Sequence, residues 1–391
     1  MAFTLSKEAE ESIIAFRHDI HRHPELPHKE VRTTAKIKEY LAAVPGVEIL
    51  ELPRGNTGAV ARIKGALPGG EVALRADIDA ISQTEKNDLP WKSEEPGVMH
   101  ACGHDFHTAA LLGAVQILSE HRDTLRGTVD FIFQKAEETT DGMPQMIEEG
   151  LLEVIHPTAV FGEHNRPEVA AGKIICHRGS LMAAKTNLLI TLTGKGGHGS
   201  VPHLTIDPVV AAATLITSLQ TIVSRNTDPM DNVVVTVGYV HGGTPDYLVV
   251  DTAEVGVSIR AIRDKTMAMA LEHLEMLTRH TAEAFGCHYN IDIQEKLPGI
   301  DNPEELHVLA KAAATEVVGL DNVVDVIPVM ASEDFAVLSH IIPGYFFWIG
   351  SGKPEGDNAP WHSPYYEAQD SAMKYAAEVL AGSAMKYLER A

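Results

Sequence analysis

Two spacings of apolar residues alternate along the first 180 residues of the chain. Short apolar runs of strand length occupy residues 58–63, 72–76, 129–134 and 159–162. Helical segments are predicted at residues 6–21, 31–41, 108–118 and 143–149. Because the strands alternate with helices, the pattern predicts an α/β layer architecture.

The pattern changes in the middle of the chain. Residues 187–193 alternate as in a sheet strand, and Asp207-Pro208 has the residues favoured at a helix start, here predicted to run to Val223. Strands at 232–240 and 253–260, a helix at 265–284 and a strand at 287–294 complete the segment. The order βαββαβ is the ferredoxin-like arrangement. We therefore predict a catalytic domain of residues 1–180 and 298–391, interrupted by an inserted four-stranded domain of residues 181–297.

Composition and charge restrict the classes of function. The chain has 391 residues, 45% of them hydrophobic and 22% charged, which is typical of a globular protein. Its formal net charge of −22 argues against binding to nucleic acid or to anionic membranes. Three cysteines and an acidic N-terminal segment without an apolar run favour a reducing compartment, so a cytoplasmic location is expected.

The segment Met99–His107 carries one thiol and three imidazoles within nine residues. Cysteine and histidine are preferred ligands of zinc and similar divalent metals. The alternative is a polar helix start without a metal. Ligand-type residues that recur downstream in similar contexts favour the metal site.

Five segments place metal-type or acidic residues after apolar runs or at the start of a helix. They contain Asp77 and Asp79, Cys102 and His104, Glu137 and Glu138, His164, and His362. In open α/β sheets, sites form outside the carboxyl ends of strands. We therefore expect these segments to converge at one edge of the sheet.

The doublet Glu137-Glu138 suggests two different roles for adjacent carboxylates, one as a metal ligand and one as a proton acceptor. On extended backbone, adjacent side chains point in opposite directions, so one carboxylate can bind a metal while the other faces the substrate. A hydrolytic metal centre needs both a carboxylate ligand and a free carboxylate that takes a proton from water. The alternative is a solvated acidic turn.

Three other groups have less specific signals. Asp77 and Asp79 either orient a ligating histidine or cap a strand end. His18, His21, His23 and His28 lie near a helix of ordinary spacing, which favours a structural role. The glycine-rich loop 194–203 contains His198, and from the residues alone a structural loop is favoured.

Taken together, these segments resemble the M20 family of metallohydrolases, in its aminoacylase/N-acyl-amino-acid amidohydrolase branch, which includes hippurate hydrolases and auxin-conjugate hydrolases. The resemblance spans nearly the whole chain in family order. The matching segments are residues 17–25, 74–80, 99–105, 134–138, 164–167, 194–198, 332–335 and 362–364.

The resemblance implies a mixed-sheet dinuclear metallohydrolase domain and a ferredoxin-like insertion that serves as lid and dimerisation domain. It implies two divalent metal ions per subunit, Zn²⁺ or Mn²⁺ with Co²⁺ or Ni²⁺ as alternatives. The implied ligands are Cys102, His104, Glu138, His164 and His362. Glu137 is then the general base and later the acid, and His198 contacts the scissile carbonyl, with Asp77 as a supporting acid.

One segment departs from the branch. Tyr247 stands where relatives carry an Asn that, with an Arg equivalent to Arg260, holds the substrate carboxylate. Val250 replaces a Pro, and Asn187 lies near the point where relatives often carry an Asp. Tyr247 and Arg260 are therefore predicted substrate contacts, and the departure concerns the substrate rather than the chemistry.

The resulting prediction is metal-dependent hydrolysis of an amide bond in a small molecule, most simply an N-acyl amino acid, by a homodimer or higher oligomer. A dipeptidase or carboxypeptidase on the same centre is one alternative. Hydrolytic deamination of an aromatic amine is a second, and a binding protein with a structural metal is a third. A closed structural site needs no spare carboxylate, so Glu137 argues against the last.

Overall fold

The computed structural model describes residues 4–355 and 357–390 and has two compact units. The first unit comprises the chain up to Gly179, Asp301–Ile327 and the chain from Asp334. The second comprises Ser180–Ile300 and Pro328–Glu333. Residue 180, residues 298–300 and residues 328–333, which were predicted to lie in the catalytic domain, thus group with the second unit.

The strands and helices are numbered separately in chain order. The strands are β1 (Val47–Leu50), β2 (Ala59–Lys64), β3 (Leu67–Asp77), β4 (Arg126–Gln134), β5 (Val160–Ala170), β6 (Ile174–Ile175), β7 (Gly179–Met182), β8 (Ala184–Thr193), β9 (Val233–Gly242), β10 (Thr252–Ala261), β11 (His288–Leu297), β12 (Ile300–Asn302), β13 (Val323–Val324) and β14 (Gly344–Gly352). The helices are α1 (Lys7–Arg22), α2 (Val31–Ala43), α3 (His104–Glu120), α4 (Gly142–Glu148), α5 (Leu151–Val154), α6 (Pro208–Thr221), α7 (Asp264–Phe285), α8 (Glu304–Val318), α9 (Phe335–Ser339) and α10 (Met373–Leu388).

An eight-stranded mixed sheet forms the centre of the first unit, in the order β1-β2-β4-β3-β5-β14-β6-β13. Its central strands β4, β3, β5 and β14 are parallel to one another, whereas β1, β2 and β6 pair in antiparallel fashion. The mixed α/β prediction is therefore confirmed. Since the carboxyl ends of the four parallel strands share one edge, that edge is where a site is expected.

Helix α3 is the most buried element beside this sheet. Its residues from His104 to Val115 are buried, and it packs against α1 and α10. The apolar segment 108–118 was predicted to be the helix, with His104 in the loop before it. The helix instead begins at His104, because Gly103 supplies the chain reversal that precedes its first turn.

The start of α1 follows the predicted capping pattern. Ser6 is the N-cap residue, and its Oγ accepts a hydrogen bond from the Ala9 amide at 3.3 Å. Glu8 and Glu10 lie in the first turn, where carboxylates interact favourably with the helix dipole.

The second unit has the element order β8-α6-β9-β10-α7-β11. Its strands form an antiparallel sheet in the order β11-β8-β10-β9. Leu188, Ile190 and Leu192 of β8 contribute to a core that α6 and α7 cover. At the start of α6, Asp207 caps the helix by accepting from the Val209 amide at 2.9 Å.

Among the described residues, none of the helices has both the length and the apolar character required to cross a bilayer.

Candidate metal centre

The cysteine–histidine segment is shaped by Gly103. This residue has a φ of +99°, a left-handed conformation that glycine adopts without steric strain. It separates Cys102 from His104, the first residue of α3. With this geometry, Cys102 Sγ lies 3.4 Å from His164 Nε2 on β5.

The five predicted ligands have donor atoms close to one another. The donor atoms within each of three groups lie within 4.8 Å of one another, and these groups are Cys102/His104/His164, Cys102/Glu138/His362 and His104/Glu137/Glu138. Cys102 and Glu138 each belong to two of these groups, so the groups form one continuous cluster. Sulfur, nitrogen and oxygen donors at this spacing suit divalent metal ions.

The environment of His104 fits a metal ligand. This side chain is fully buried, and its Nε2 has no hydrogen-bond partner among the described residues. Its Nδ1–H donates to Asp79 Oδ1 at 3.1 Å, as in metal-ligating histidines whose second nitrogen is held by a carboxylate. Burial lowers the pKa of His104, but the charge of Asp77 and the hydrogen bond to Asp79 outweigh it and raise the pKa to about 10.

Glu138 links His104 to His362. Its Oε1 lies 3.8 Å from His104 Nε2 and 3.3 Å from His362 Nε2. Burial raises the pKa of Glu138, yet the hydrogen bond from His362 and the charge of His104 hold it below its ordinary value. Glu138 therefore remains a carboxylate in contact with both imidazoles.

The Cys102 thiol lies among groups that oppose its ionisation. Burial and the carboxylates of Glu138 and Glu137 raise its pKa well above the ordinary value. Metal binding requires the thiolate, and a bound cation stabilises that form. The donor set and the unsatisfied His104 Nε2 together fit divalent metal ions.

Glu137 and Glu138 do not lie on extended backbone. They begin a single 3₁₀ turn, Glu137–Thr139, so the reasoning from alternating strand directions was wrong at this point. The turn is held by Asp79, whose two carboxylate oxygens accept the amides of Glu137 at 3.1 Å and Glu138 at 3.0 Å. Glu137 is buried and adjoins the cluster through its group with His104.

Asp77 and Asp79 support different histidines. Asp77 Oδ1 accepts from His107 Nδ1 at 2.6 Å, and it lies 3.9 Å from His104 Nδ1. The closer partner of His104 is Asp79. Asp77, the predicted supporting acid, thus acts most directly on His107, and Asp79 is the residue that joins a ligand to the Glu137-Glu138 turn.

The other three predicted residues lie in the second unit. His198 is exposed in the loop after β8, and its Nδ1 accepts from Ser200 Oγ at 2.8 Å. Tyr247 is 91% exposed and has a φ of +58°. Arg260 Nη1 donates to the Met330 carbonyl at 2.6 Å within the same unit. Their roles toward substrate stay predictions.

Two of the four N-terminal histidines, His18 and His21, contact other side chains of the first unit. Buried His21 contacts Asp105 at 3.0 Å and Glu85 at 3.3 Å, and these carboxylates overcome the effect of burial to raise its pKa to about 9. His18 stacks on Trp91 with ring centroids 3.7 Å apart.

Two residues to which no role was assigned from the sequence lie against the cysteine–histidine segment, although one of them belongs to the matching segment 164–167. Asn165 donates to the Cys102 carbonyl at 2.6 Å, and Tyr366 donates to Asn165 Oδ1 at 2.6 Å. Asn165 directly follows His164, and that adjacency was the available signal. Tyr366 lies far along the chain from both and has no such signal.

Comparisons with known proteins point to one family. The sequence model described as "Peptidase family M20/M25/M40" matches residues 73–386. The N-acetylcysteine deacetylase of Bacillus subtilis (strain 168) is 37% identical over 96% of this chain and 97% of its own length. IAA-amino acid hydrolase ILR1-like 4 of Arabidopsis thaliana is 36% identical over 96% of this chain and 86% of its own length.

A solved structure extends the comparison to the fold. The YXEP protein of Bacillus subtilis, described as a dinuclear metal binding peptidase from the M20 family, superposes with a TM-score of 0.84. It is 34% identical in sequence, and the match covers 98% of this chain and 99% of that one.

Proposed function

The chain belongs to peptidase family M20/M25/M40, and from this membership we propose that it hydrolyses the amide bond of an N-acyl amino acid. The products are a carboxylate and a free amino acid. The observation that carries the proposal is the convergence of five metal-type donors beside the buried carboxylate of Glu137. The deacetylase and hydrolase names of its relatives support the same reaction class.

The residues that would hold two divalent metal ions are Cys102, His104, Glu138, His164 and His362. Bound metal ions of this kind polarise a carbonyl and lower the pKa of bound water to about 7. A thiolate together with imidazoles favours Zn²⁺, and Mn²⁺, Co²⁺ and Ni²⁺ are the alternatives to be compared.

Glu137 is proposed to carry the proton. Its carboxylate accepts a proton from the attacking water and later gives it to the leaving nitrogen, so the same group is base and then acid. Asp79 fixes the backbone of Glu137 and Glu138 through two amide hydrogen bonds, which keeps the base at a constant distance from its neighbouring ligand. The proton therefore moves at a group whose backbone is held in place.

The second unit is proposed to be the lid and dimerisation domain. Edge strand β9 exposes Val234, Tyr239 and Val240, and an exposed apolar edge can pair with a copy of itself across a two-fold axis. Light scattering of the purified chain tests this part: a dimer is expected, and a strict monomer would contradict it.

His198, Tyr247 and Arg260 are proposed to reach the substrate, and the cytoplasm is the proposed location.

Release of free amine from N-acetyl, N-benzoyl and dipeptide substrates tests the reaction, with added Zn²⁺ or Mn²⁺ and again with a chelator. Metal-dependent release from acylated amino acids is the expected result. Release from dipeptides alone would indicate a peptidase instead, and ammonia release from aromatic amines would indicate a deaminase.

Glu137→Gln tests the assigned base. We expect turnover to fall by about 10²–10⁴-fold while bound metal is retained, because the substitution removes a proton acceptor and leaves the proposed ligands unchanged. Glu120→Gln, an exposed position at the end of α3, is the matched control and should keep full activity. Unchanged turnover in Glu137→Gln would contradict the mechanism.

A further inference from the structure

We propose that Asn165 is a positioning residue for the metal ligands, and that the Tyr366 hydroxyl holds it in its working orientation. The inference rests on the proposed function, because it concerns the same metal centre. It assigns a role to two residues that supply no metal-binding atom themselves.

Asn165 contacts two of the proposed ligands through different atoms. Its Nδ2 donates to the Cys102 carbonyl at 2.6 Å. The backbone carbonyl of Asn165 accepts the Nδ1–H of His164 at 2.7 Å. Because Nδ1 of His164 is engaged in this way, Nε2 is the nitrogen available to a metal, and that atom lies 3.4 Å from Cys102 Sγ.

A third ligand is approached through the neighbouring tryptophan. Trp361 Nε1 donates to the same Asn165 carbonyl at 3.1 Å, and Trp361 directly precedes His362. One residue of β5 thus joins segments that carry three of the five proposed ligands.

The orientation of the Asn165 amide is determined by its partners. The Cys102 carbonyl can only accept, so the amide nitrogen must face it. The amide oxygen then accepts from Tyr366 at 2.6 Å and from Ser351 Oγ at 3.1 Å. His107 Nε2 faces both the Asn165 backbone amide, at 2.9 Å, and Nδ2, at 2.8 Å.

Asn165 and Tyr366 lie so close to Gly103 that no larger residue fits at position 103. A Cβ atom at Gly103 would lie 2.1 Å from Asn165 Nδ2 and 2.4 Å from the Tyr366 hydroxyl. Asn165 and Tyr366 therefore pack directly against the residue that separates Cys102 from His104. We therefore expect a shift of either side chain to displace the loop that carries the thiol.

Tyr366→Phe tests the proposal because it removes only the hydroxyl. Metal-free protein is titrated with Co²⁺, and the thiolate-to-cobalt charge-transfer absorption reports ligation by Cys102. Competition with a chelator gives the apparent affinity. We expect Tyr366→Phe to weaken it by about 10–100-fold, as substitutions of residues that orient ligands typically do. Ser351→Ala removes the longer hydrogen bond to Asn165 Oδ1 and should weaken Co²⁺ binding by a smaller factor. This variant replaces Tyr366→Phe as the test if Tyr366→Phe does not fold.

Tyr345→Phe is the matched control. Tyr345 is a fully buried tyrosine of the same unit whose hydroxyl donates to the His177 carbonyl at 3.1 Å. The Tyr345→Phe variant should bind Co²⁺ with the same affinity as the wild type. Equal affinities in wild type, Tyr366→Phe and Ser351→Ala would overturn the inference, as would an equal loss in the control.

The experiment also separates this inference from the proposed function. A wild type that shows the charge-transfer band and the expected variant effects, but cleaves no amide, would support the positioning role and contradict the reaction. A wild type that cleaves the amide but lacks the band would support the reaction and overturn the positioning role, since Cys102 would then not be a ligand.

Discussion

Asp130 offers a prediction whose size can be worked out from the fold. Its fully buried side chain on β4 accepts from Arg62 Nε at 2.7 Å, and Arg62 also donates to Glu71 at 2.7 Å. Two carboxylates thus share one guanidinium. Burial raises the pKa of Asp130, the nearby Glu71 adds to the rise, and the hydrogen bond from Arg62 only partly opposes it, so the pKa is about 7.

The sign of the effect on stability follows from this raised pKa. The folded protein holds the Asp130 proton more tightly than the unfolded chain, whose carboxyl has the ordinary pKa of 3.8. The resulting stabilisation is complete below pH 3.8 and is lost as the pH rises to about 7. With about 1.4 kcal/mol for each pKa unit, the free energy of unfolding should fall by roughly 2–3 kcal/mol between pH 5 and pH 8 from this group alone.

Asp130→Asn removes this titration and keeps an oxygen that accepts from Arg62. The difference in unfolding free energy between the variant and the wild type should therefore rise by about 2–3 kcal/mol from pH 5 to pH 8. In thermal melts of metal-free protein this corresponds to roughly 2–5 °C. Asp123→Asn, at an exposed position after α3, is the control and should show no such trend.

A constant difference between Asp130→Asn and the wild type across this pH range would refute the reasoning. It would mean that the buried carboxylate is already charged in the folded protein at pH 5, with Arg62 compensating its charge. A difference that falls as the pH rises would refute it as well, because the raised pKa permits only a rise.

Three further predictions concern the metal centre. Asp79→Asn should weaken metal binding by about 10–100-fold in a chelator competition. The asparagine side chain has only one oxygen, so it cannot accept from His104 and from the backbone N–H groups of both Glu137 and Glu138. Unchanged affinity would contradict the role given to Asp79. Gly103→Ala should lower the unfolding free energy by about 1–3 kcal/mol or more, since its Cβ would overlap Asn165 in a left-handed backbone, and denaturant unfolding measures this. Removal of bound metal by a chelator should lower the melting temperature, because a ligand at 100 times its Kd stabilises the folded state by about 2.7 kcal/mol, and readdition of metal should restore it.

Much of the fold could be predicted because its elements have strong local signals. The apolar strand of residues 129–134 and the Asp207-Pro208 helix start were located within a few residues. The start of α3 was missed by four residues, since the polar segment before Thr108 does not have the composition of a buried helix. Those polar residues are buried through hydrogen bonds to other segments, which a local pattern does not contain.

The donor atoms of the site could be found from the sequence, whereas the residues that orient them could not. A cysteine, histidine or glutamate near a strand end means little alone, and its recurrence in five segments indicated a shared site. The set of ligands was implied by the resemblance to the M20 family. Asp79 was weighed together with Asp77, and only the fold shows that His104 is bonded by Asp79 at 3.1 Å and lies 3.9 Å from Asp77. Asn165 and Tyr366 are ordinary residues whose role depends on contacts between distant segments.

The two orienting residues hold their histidines in chemically different ways. His104 Nδ1 donates to the carboxylate of Asp79, and His164 Nδ1 donates to the neutral carbonyl of Asn165. A carboxylate partner makes an imidazole a stronger electron donor than a carbonyl partner does. The two histidines are therefore unequal ligands before any metal binds, although each presents Nε2 to the same cluster. This inequality originates where Asp79 follows the end of β3 and Asn165 lies within the neighbouring parallel strand β5.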